Sequence, residues 1–138
     1  MTIVAHTDGA SRGNPGESGI GIVLEDEMGN TIFEGSGFIG TATNNIAEYQ
    51  ALLACLIKTK SFSCTKLVVY SDSELMVRQL KGLYKVKEPT LRRLFAEAKA
   101  ILKESTFTFE IKHVAREENR RADELANVGI NSREILQV

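Results

Sequence analysis

The sequence predicts an α/β fold, a five-stranded mixed sheet flanked by helices, and three observations carry it. Apolar, β-branched segments recur three times before Asn45 with turn residues between them, which reads as a meander of antiparallel strands. From Asn45 the apolar period changes to that of a helix, and helical segments then alternate with two further strands. KLVVYS, the fourth strand, is a continuous apolar run of the kind found in a strand covered on both faces. A helix between the third and fourth strands makes a crossover, so the fourth strand is expected to lie parallel to the first.

Each element has a local reason. TIVAHT is a short strand expected to stop at Asp8, and GASRGNPG supplies turn chemistry for a loop. GIGIVLED and TIFEGSGFIG are the next two strands, separated by MGN. Ile46, Tyr49, Leu53, Leu56 and Ile57 fall at helical spacing, giving an amphipathic helix over 45–59. After KLVVYS the chain passes at Asp72 into the helix SELMVRQLKG, whose end Gly82 marks. A helix from Pro89 to about Lys103, the alternating strand TFTFEIKHV and a last helix RRADELANVG complete the order.

With 43% hydrophobic and 25% charged residues, the 138-residue chain is read as a single domain, 1–138, with 128–138 as a C-terminal tail. A net charge of -1 argues against indiscriminate coating of nucleic acid. The charge is unevenly placed, however: residues 1–57 hold seven acids and one base, Arg12. The stretch Arg78–Lys103 holds eight bases against Glu88 and Glu97, a candidate phosphate-facing surface or a solvated helix face. No segment is long and apolar enough for a membrane span and the N-terminus lacks a basic lead, so a cytoplasmic location and no membrane partner are expected. Cys55 and Cys64 lack metal-site spacing and are expected to be buried, inert thiols.

Four acids stand out: Asp8 in HTDGASRGNPG, Glu48 in TNNIAEYQALL, Asp72 in LVVYSDSELMVRQL and Asp123 in KHVAREENRRADELAN. Ligands of parallel sheets sit beyond the carboxyl ends of the strands, where Asp8 and Asp72 are expected. Each acid also has a structural explanation. Asn45 with Glu48, and Ser71 with Glu74, fit capping boxes, and Asp123 fits a one-turn pair with Arg120. Together, a carboxylate group of this density is hard to keep without neutralising cations, and it supplies the oxygens that two divalent ions need.

In their order along the chain, these strings resemble the ribonuclease H family, type 1. The match runs from Ile3 to Asn127 and is similar to a compact bacterial and archaeal subgroup without a basic handle. The resemblance implies the ribonuclease H-like sheet and endonucleolytic hydrolysis of the RNA strand of RNA/DNA hybrids. It implies Asp8, Glu48, Asp72 and Asp123 as ligands of two Mg2+ ions, with Mn2+ able to substitute. In the family's scheme Asp8 bridges the ions, Glu48 and Asp72 serve the leaving-group side, and Asp123 serves the nucleophile side. Two cations roughly 3.5 to 4 Å apart stabilise the attacking and leaving oxygens of such a displacement. His113 stands at the position of a mobile histidine that relays protons, although the glycine-rich loop usual after it reads VAREEN here. His6 is expected to be structural.

The resemblance further implies Gly9, Ser11, Asn14, Asn44 and Gln79 at the RNA strand, and Thr43 and Asn45 at the DNA strand. Turn formation and helix capping are equally consistent with these residues. The link KGLYKVKEP is short and the chain has no Trp, so Tyr84 and the nearby lysines stand where a stacking, charged handle is usual. Arg116 is expected at a phosphate or paired with Glu117 or Glu118. Modest, salt-sensitive hybrid binding by a monomer, and weaker cleavage of double-stranded RNA, complete the expectations. The alternatives are a non-catalytic hybrid-binding module of the same fold, another nuclease of the fold such as a resolvase or integrase core, and an interaction domain. A missing ligand would mark the first, and all four acids are present.

Overall fold

β1 runs from Thr2 to Gly13, well past Asp8, because its partner β2 (Gly16–Glu25) keeps pairing antiparallel with it from Val4↔Glu25 out to Gly13↔Gly16. The computed structural model describes Met1–Val138. The expectation that the first strand stops at Asp8 is therefore corrected. GASRGNPG forms the outer end of a hairpin, since Gly and Ser there carry no bulk that would interrupt the ladder. What stops at that point is the other ladder: β4 (Lys66–Ser71) pairs parallel with β1 only up to Thr7↔Ser71. Asp8 thus lies where β1 parts from β4.

β3 (Thr31–Ala42) pairs antiparallel with β2, and β5 (Thr108–His113) parallel with β4, giving the sheet order β3-β2-β1-β4-β5. Three antiparallel strands followed by two parallel ones is the architecture the residue pattern predicts. The helices are α1 (Asn44–Thr59), α2 (Glu74–Leu80), α3 (Pro89–Glu104) and α4 (Arg120–Ser132), the last preceded by a short 3-10 turn, Arg116–Glu118. Helix starts differ from the expected capping boxes. Thr43 caps α1, accepting from Ile46 N at 3.2 Å, and Ser73 caps α2, accepting from Met76 N at 3.2 Å. Glu48 and Ser71 are thereby released from capping.

α1 and α4 lie on opposite faces of the sheet, as the alternation of β1 and β2 requires. A Cβ on Gly9 would meet the Ala47 backbone, whereas Cβ atoms on Gly19 and Gly21 would meet Ala126 and Ala122 of α4. Ile3, Ala5, Ile22, Leu24, Leu52, Leu56, Leu67, Val69 and Leu94 are fully buried and form the core. α4 packs mainly on β1, β2 and β3. β4 is consequently covered less completely than its apolar run predicts, and Tyr70 is half-buried, stacked on His6 with ring centroids 5.2 Å apart. Cys55 and Cys64 are buried free thiols.

The expected tail 128–138 is corrected, because Gly129 and Ile130 are buried in α4 and the helix continues to Ser132; the chain after it lies against the edge strand β3. Glu134 O accepts from Phe38 N at 2.7 Å, and Leu136 packs where side chains at Gly35 and Gly37 would stand. Only glycine at position 37 admits this crossing, since a Cβ there would lie 2.9 Å from the Leu136 backbone nitrogen. The tail so covers part of an otherwise open sheet edge. No helix is long and apolar enough to cross a membrane.

Candidate active site

A cleft of about 710 Å³ opens where β1 and β4 part. Asp8 enters it from β1, Glu48 from the second turn of α1, Asp72 from just beyond β4, and Asp123 from the first turn of α4. Asp8, Glu48 and Asp72 each offer a carboxylate oxygen within 4.8 Å of the other two. Asp123 stands at the same cleft outside that tight group, with Arg116 Nη2 3.9 Å from its Oδ1.

The close approach of α1 to β1 sets this geometry. A Cβ on Gly9 would lie 2.1 Å from the carbonyl carbon of Ala47, so only glycine lets the helix come this near. That contact delivers Glu48 to the strand, where its Oε1 accepts from Gly9 N at 2.7 Å. One oxygen of Glu48 is fixed by the backbone of the residue that follows Asp8. Asn119, 1% exposed, ties the other side: its Nδ2 donates to Thr7 O at 2.9 Å, and Asp123 N donates to Asn119 O at 3.1 Å. The carboxylates are therefore positioned through main-chain contacts on both flanks of Asp8.

Electrostatically the site is strained. Asp8 and Glu48 are 4% and 3% exposed. Burial raises the Asp8 carboxyl far above its ordinary range, and the charges of Glu48, Asp72 and Asp123 raise it further. Burial likewise raises Glu48, followed by the charge of Asp72, with the Gly9 N–H opposing. Like charges held this close, with one backbone donor among them, favour protons or cations. The donor set is carboxylate oxygen alone, the chemistry of a hard divalent ion such as Mg2+. The residues fit that group.

His113, the last residue of β5, sits opposite Ser71 in the parallel register and lines the cleft with an exposed ring. Gly9, Ser11, Asn44, Asn45 and Arg116 also line it. The Ser11 hydroxyl is engaged internally, donating to Ala42 O at 2.8 Å and accepting from Ser18 Oγ at 2.9 Å. Asn14 braces the hairpin against α1, its Oδ1 accepting from Asn44 N at 3.1 Å.

Three further residues stand outside the carboxylate cleft. Thr43 is the α1 cap. Gln79 is 4% exposed and turned inward, accepting from Tyr49 OH at 2.6 Å and donating to Lys85 O at 3.4 Å, because its face of α2 packs on α1. Tyr84 lies outside the carboxylate cleft, in a separate groove of about 480 Å³ with Val86, Arg92 and Phe95, its ring 5.4 Å from the Arg78 guanidinium. The Arg116 guanidinium meets Asp123 and neither Glu117 nor Glu118. Two residues that sequence reasoning missed, Arg12 and Asn127, also line the cleft. Asn127 stands one helical turn after Asp123, a spacing that periodicity alone reveals.

A family model described as reverse transcriptase-like matches residues 6–129. Ribonuclease HI of Halobacterium salinarum is 42% identical over 127 residues, covering 92% of this chain and 63% of that protein. The chain belongs to the type 1 ribonuclease H family. Two solved members superpose closely. LC11-RNase H1 in complex with an RNA/DNA hybrid has a TM-score of 0.90 at 46% identity, covering 94% of this chain and 97% of that one. The N-terminal RNase H domain of a bifunctional Mycobacterium tuberculosis protein has a TM-score of 0.89 at 37% identity, covering 94% and 99%. By sequence, this chain spans 35% of that mycobacterial protein's full length. It thus covers less than two thirds of these first curated relatives, though nearly all of the ribonuclease H structures.

Proposed function

We propose that the chain hydrolyses the RNA strand of RNA/DNA hybrids, using two divalent ions held by Asp8, Glu48, Asp72 and Asp123. The buried carboxylate group in an open, polar cleft carries this reading: three acids within 4.8 Å are costly to leave unneutralised and lie at the sheet's ligand-binding end. Family membership and the hybrid-bound relative support the substrate class. When bound, Mg2+ or Mn2+ would activate water and neutralise charge on the scissile phosphate and its leaving oxygen.

The chain's own part is arrangement. Asp8 is carried on the central strand and Glu48 is aimed by Gly9 N–H. Asp72 extends from the end of β4, and Asp123 faces Asp8 from α4. The exposed His113 ring at the cleft is placed to relay protons between the site and solvent. Gly9, Ser11 and Asn44 form the wall against which the RNA backbone and its 2′-hydroxyls would lie, with Asn14 bracing it and Asn45 beside it toward the DNA strand. The exposed lysines and arginines between Lys81 and Lys103 supply a flanking phosphate-facing surface, with Tyr84 beside Arg78.

A strand-resolved cleavage assay tests this. Matched hybrid, double-stranded RNA and double-stranded DNA are labelled on each strand and treated with Mg2+, Mn2+ or chelator beside Asp8→Asn. Metal-dependent loss of the hybrid's RNA strand, with weaker duplex-RNA cleavage in Mn2+, is expected and is absent in the variant. Unchanged cleavage by Asp8→Asn refutes the site. Hybrid binding without any cleavage moves the chain to the non-catalytic module.

A further inference from the structure

Arg12 and Asn127 meet at the cleft from elements 115 residues apart. Arg12 lies near the outer end of β1, and its Nη2 donates to Asn127 Oδ1 at 3.4 Å. From α4, Asn127 Nδ2 donates to Asp123 O at 3.0 Å and reaches Asp123 Oδ1 at 3.5 Å. A guanidinium only donates and a carboxylate only accepts, so an amide between them is held with oxygen toward Arg12 and nitrogen toward Asp123. Two of these contacts are long, and their worth lies in orientation more than in stability.

The charges point the same way. Arg12 is exposed and forms no ion pair, although it lines a cleft containing five carboxylates, the four candidate ligands and Glu74; Arg116, by contrast, stands 3.9 Å from Asp123. A guanidinium held by a neutral amide keeps its full charge and most of its five N–H donors for another anion. A nucleic acid lying in this cleft would offer such an anion, a backbone phosphate.

We propose that Asn127 and Arg12 form a positioning pair: Asn127 sets the orientation of Asp123, and Arg12 sets the Asn127 amide while turning its remaining N–H groups to a substrate phosphate. Engagement of the backbone at Arg12 is so linked to the geometry of a metal-holding carboxylate. This rests on the nuclease reading above, and the wild-type chain separates the two. If it cleaves no hybrid, that reading fails; if it cleaves hybrid and the variants match it, the pair alone fails.

Asn127→Ala is expected to lower kcat about 10-fold with little change in KM, and to weaken Mn2+ binding measured without nucleic acid by about 10-fold, the effect of losing a group that orients a ligand. Arg12→Ala is expected to raise KM about 5-fold and to reduce the slope of log affinity against log salt, measured by hybrid anisotropy in chelator, by about 1. Arg12→Lys is expected to restore the salt slope without restoring kcat/KM, because an ammonium lacks the planar fork. Thermal melts check folding, and Arg12→Gln and Asn127→Ser replace any alanine variant that melts low. Unchanged Mn2+ affinity in the Asn127 variant, or an unchanged salt slope in the Arg12 variant, overturns the proposal.

Discussion

Replacing Asp8 by Asn is expected to stabilise the metal-free protein while removing its activity. The folded-state carboxyls of Asp8 and Glu48 are raised from 3.8 and 4.5 to about 10 and about 8, so both are protonated more readily in the folded chain than in the unfolded one. A raised carboxyl contributes most at low pH, and that contribution is lost as pH climbs from near 4 toward the folded value. One extra proton in the folded state corresponds to a fall of about 1.4 kcal/mol per pH unit. Between pH 5 and 8 the upper bound is about 4 kcal/mol for one group, and hydration of the open cleft brings it nearer 2. For a chain of this size that is roughly 8 °C in melting temperature.

The assay is a set of thermal melts in chelator from pH 4.5 to 8.5 at fixed ionic strength. The wild type should lose stability relative to Asp8→Asn as pH rises, with the two converging near pH 4.5. Adding Mg2+ should raise the wild-type melting temperature and leave the variant nearly unmoved. The difference between the curves reports Asp8 and its coupling to Glu48, since His6 is common to both proteins and cancels. Superimposed curves, or a variant that melts lower at every pH, refute the electrostatic reading of the site.

Gly9→Ala should cost about 3 kcal/mol and most of kcat, because its Cβ would lie 2.1 Å from the Ala47 carbonyl carbon and must push α1, with Glu48, off β1. A variant with wild-type melting and turnover contradicts that packing. Leu136→Ala should lower stability by about 1 to 2 kcal/mol in urea unfolding and leave kcat unchanged, since Leu136 packs on β3 away from the cleft; a kcat effect would link the tail to the site. Burial holds the His6 imidazole below its ordinary value of 6.5, with Glu25 opposing, so stability attributable to His6 grows as pH rises from the folded value toward 6.5. An NMR titration placing His6 at or above 6.5 refutes its burial against Tyr70.

The element order, the mixed sheet and the four acids were legible in the sequence because each rests on a short-range signal. A helix is written in residues three and four apart, a strand in alternation, and a cap within three positions. The four motifs in order also sufficed for the family. Local signals misled where two neighbours compete for the same role, since Asn45 and Ser71 looked like helix starts but Thr43 and Ser73 make the caps.

Only the tertiary structure decided that β1 runs past Asp8, since strand length there depends on pairing with β2 and release from β4. It also turned Gln79 inward, set Tyr84 in a separate groove and joined Arg12 to Asn127. Above all, it brought Asp8, Glu48 and Asp72 within 4.8 Å through the glycine contact between β1 and α1. Propensity and periodicity act over a few residues, whereas register and packing join residues 30 to 115 positions apart. The sequence therefore named the groups with the chemistry, and only the packing of α1, β4 and α4 around β1 could make them one site.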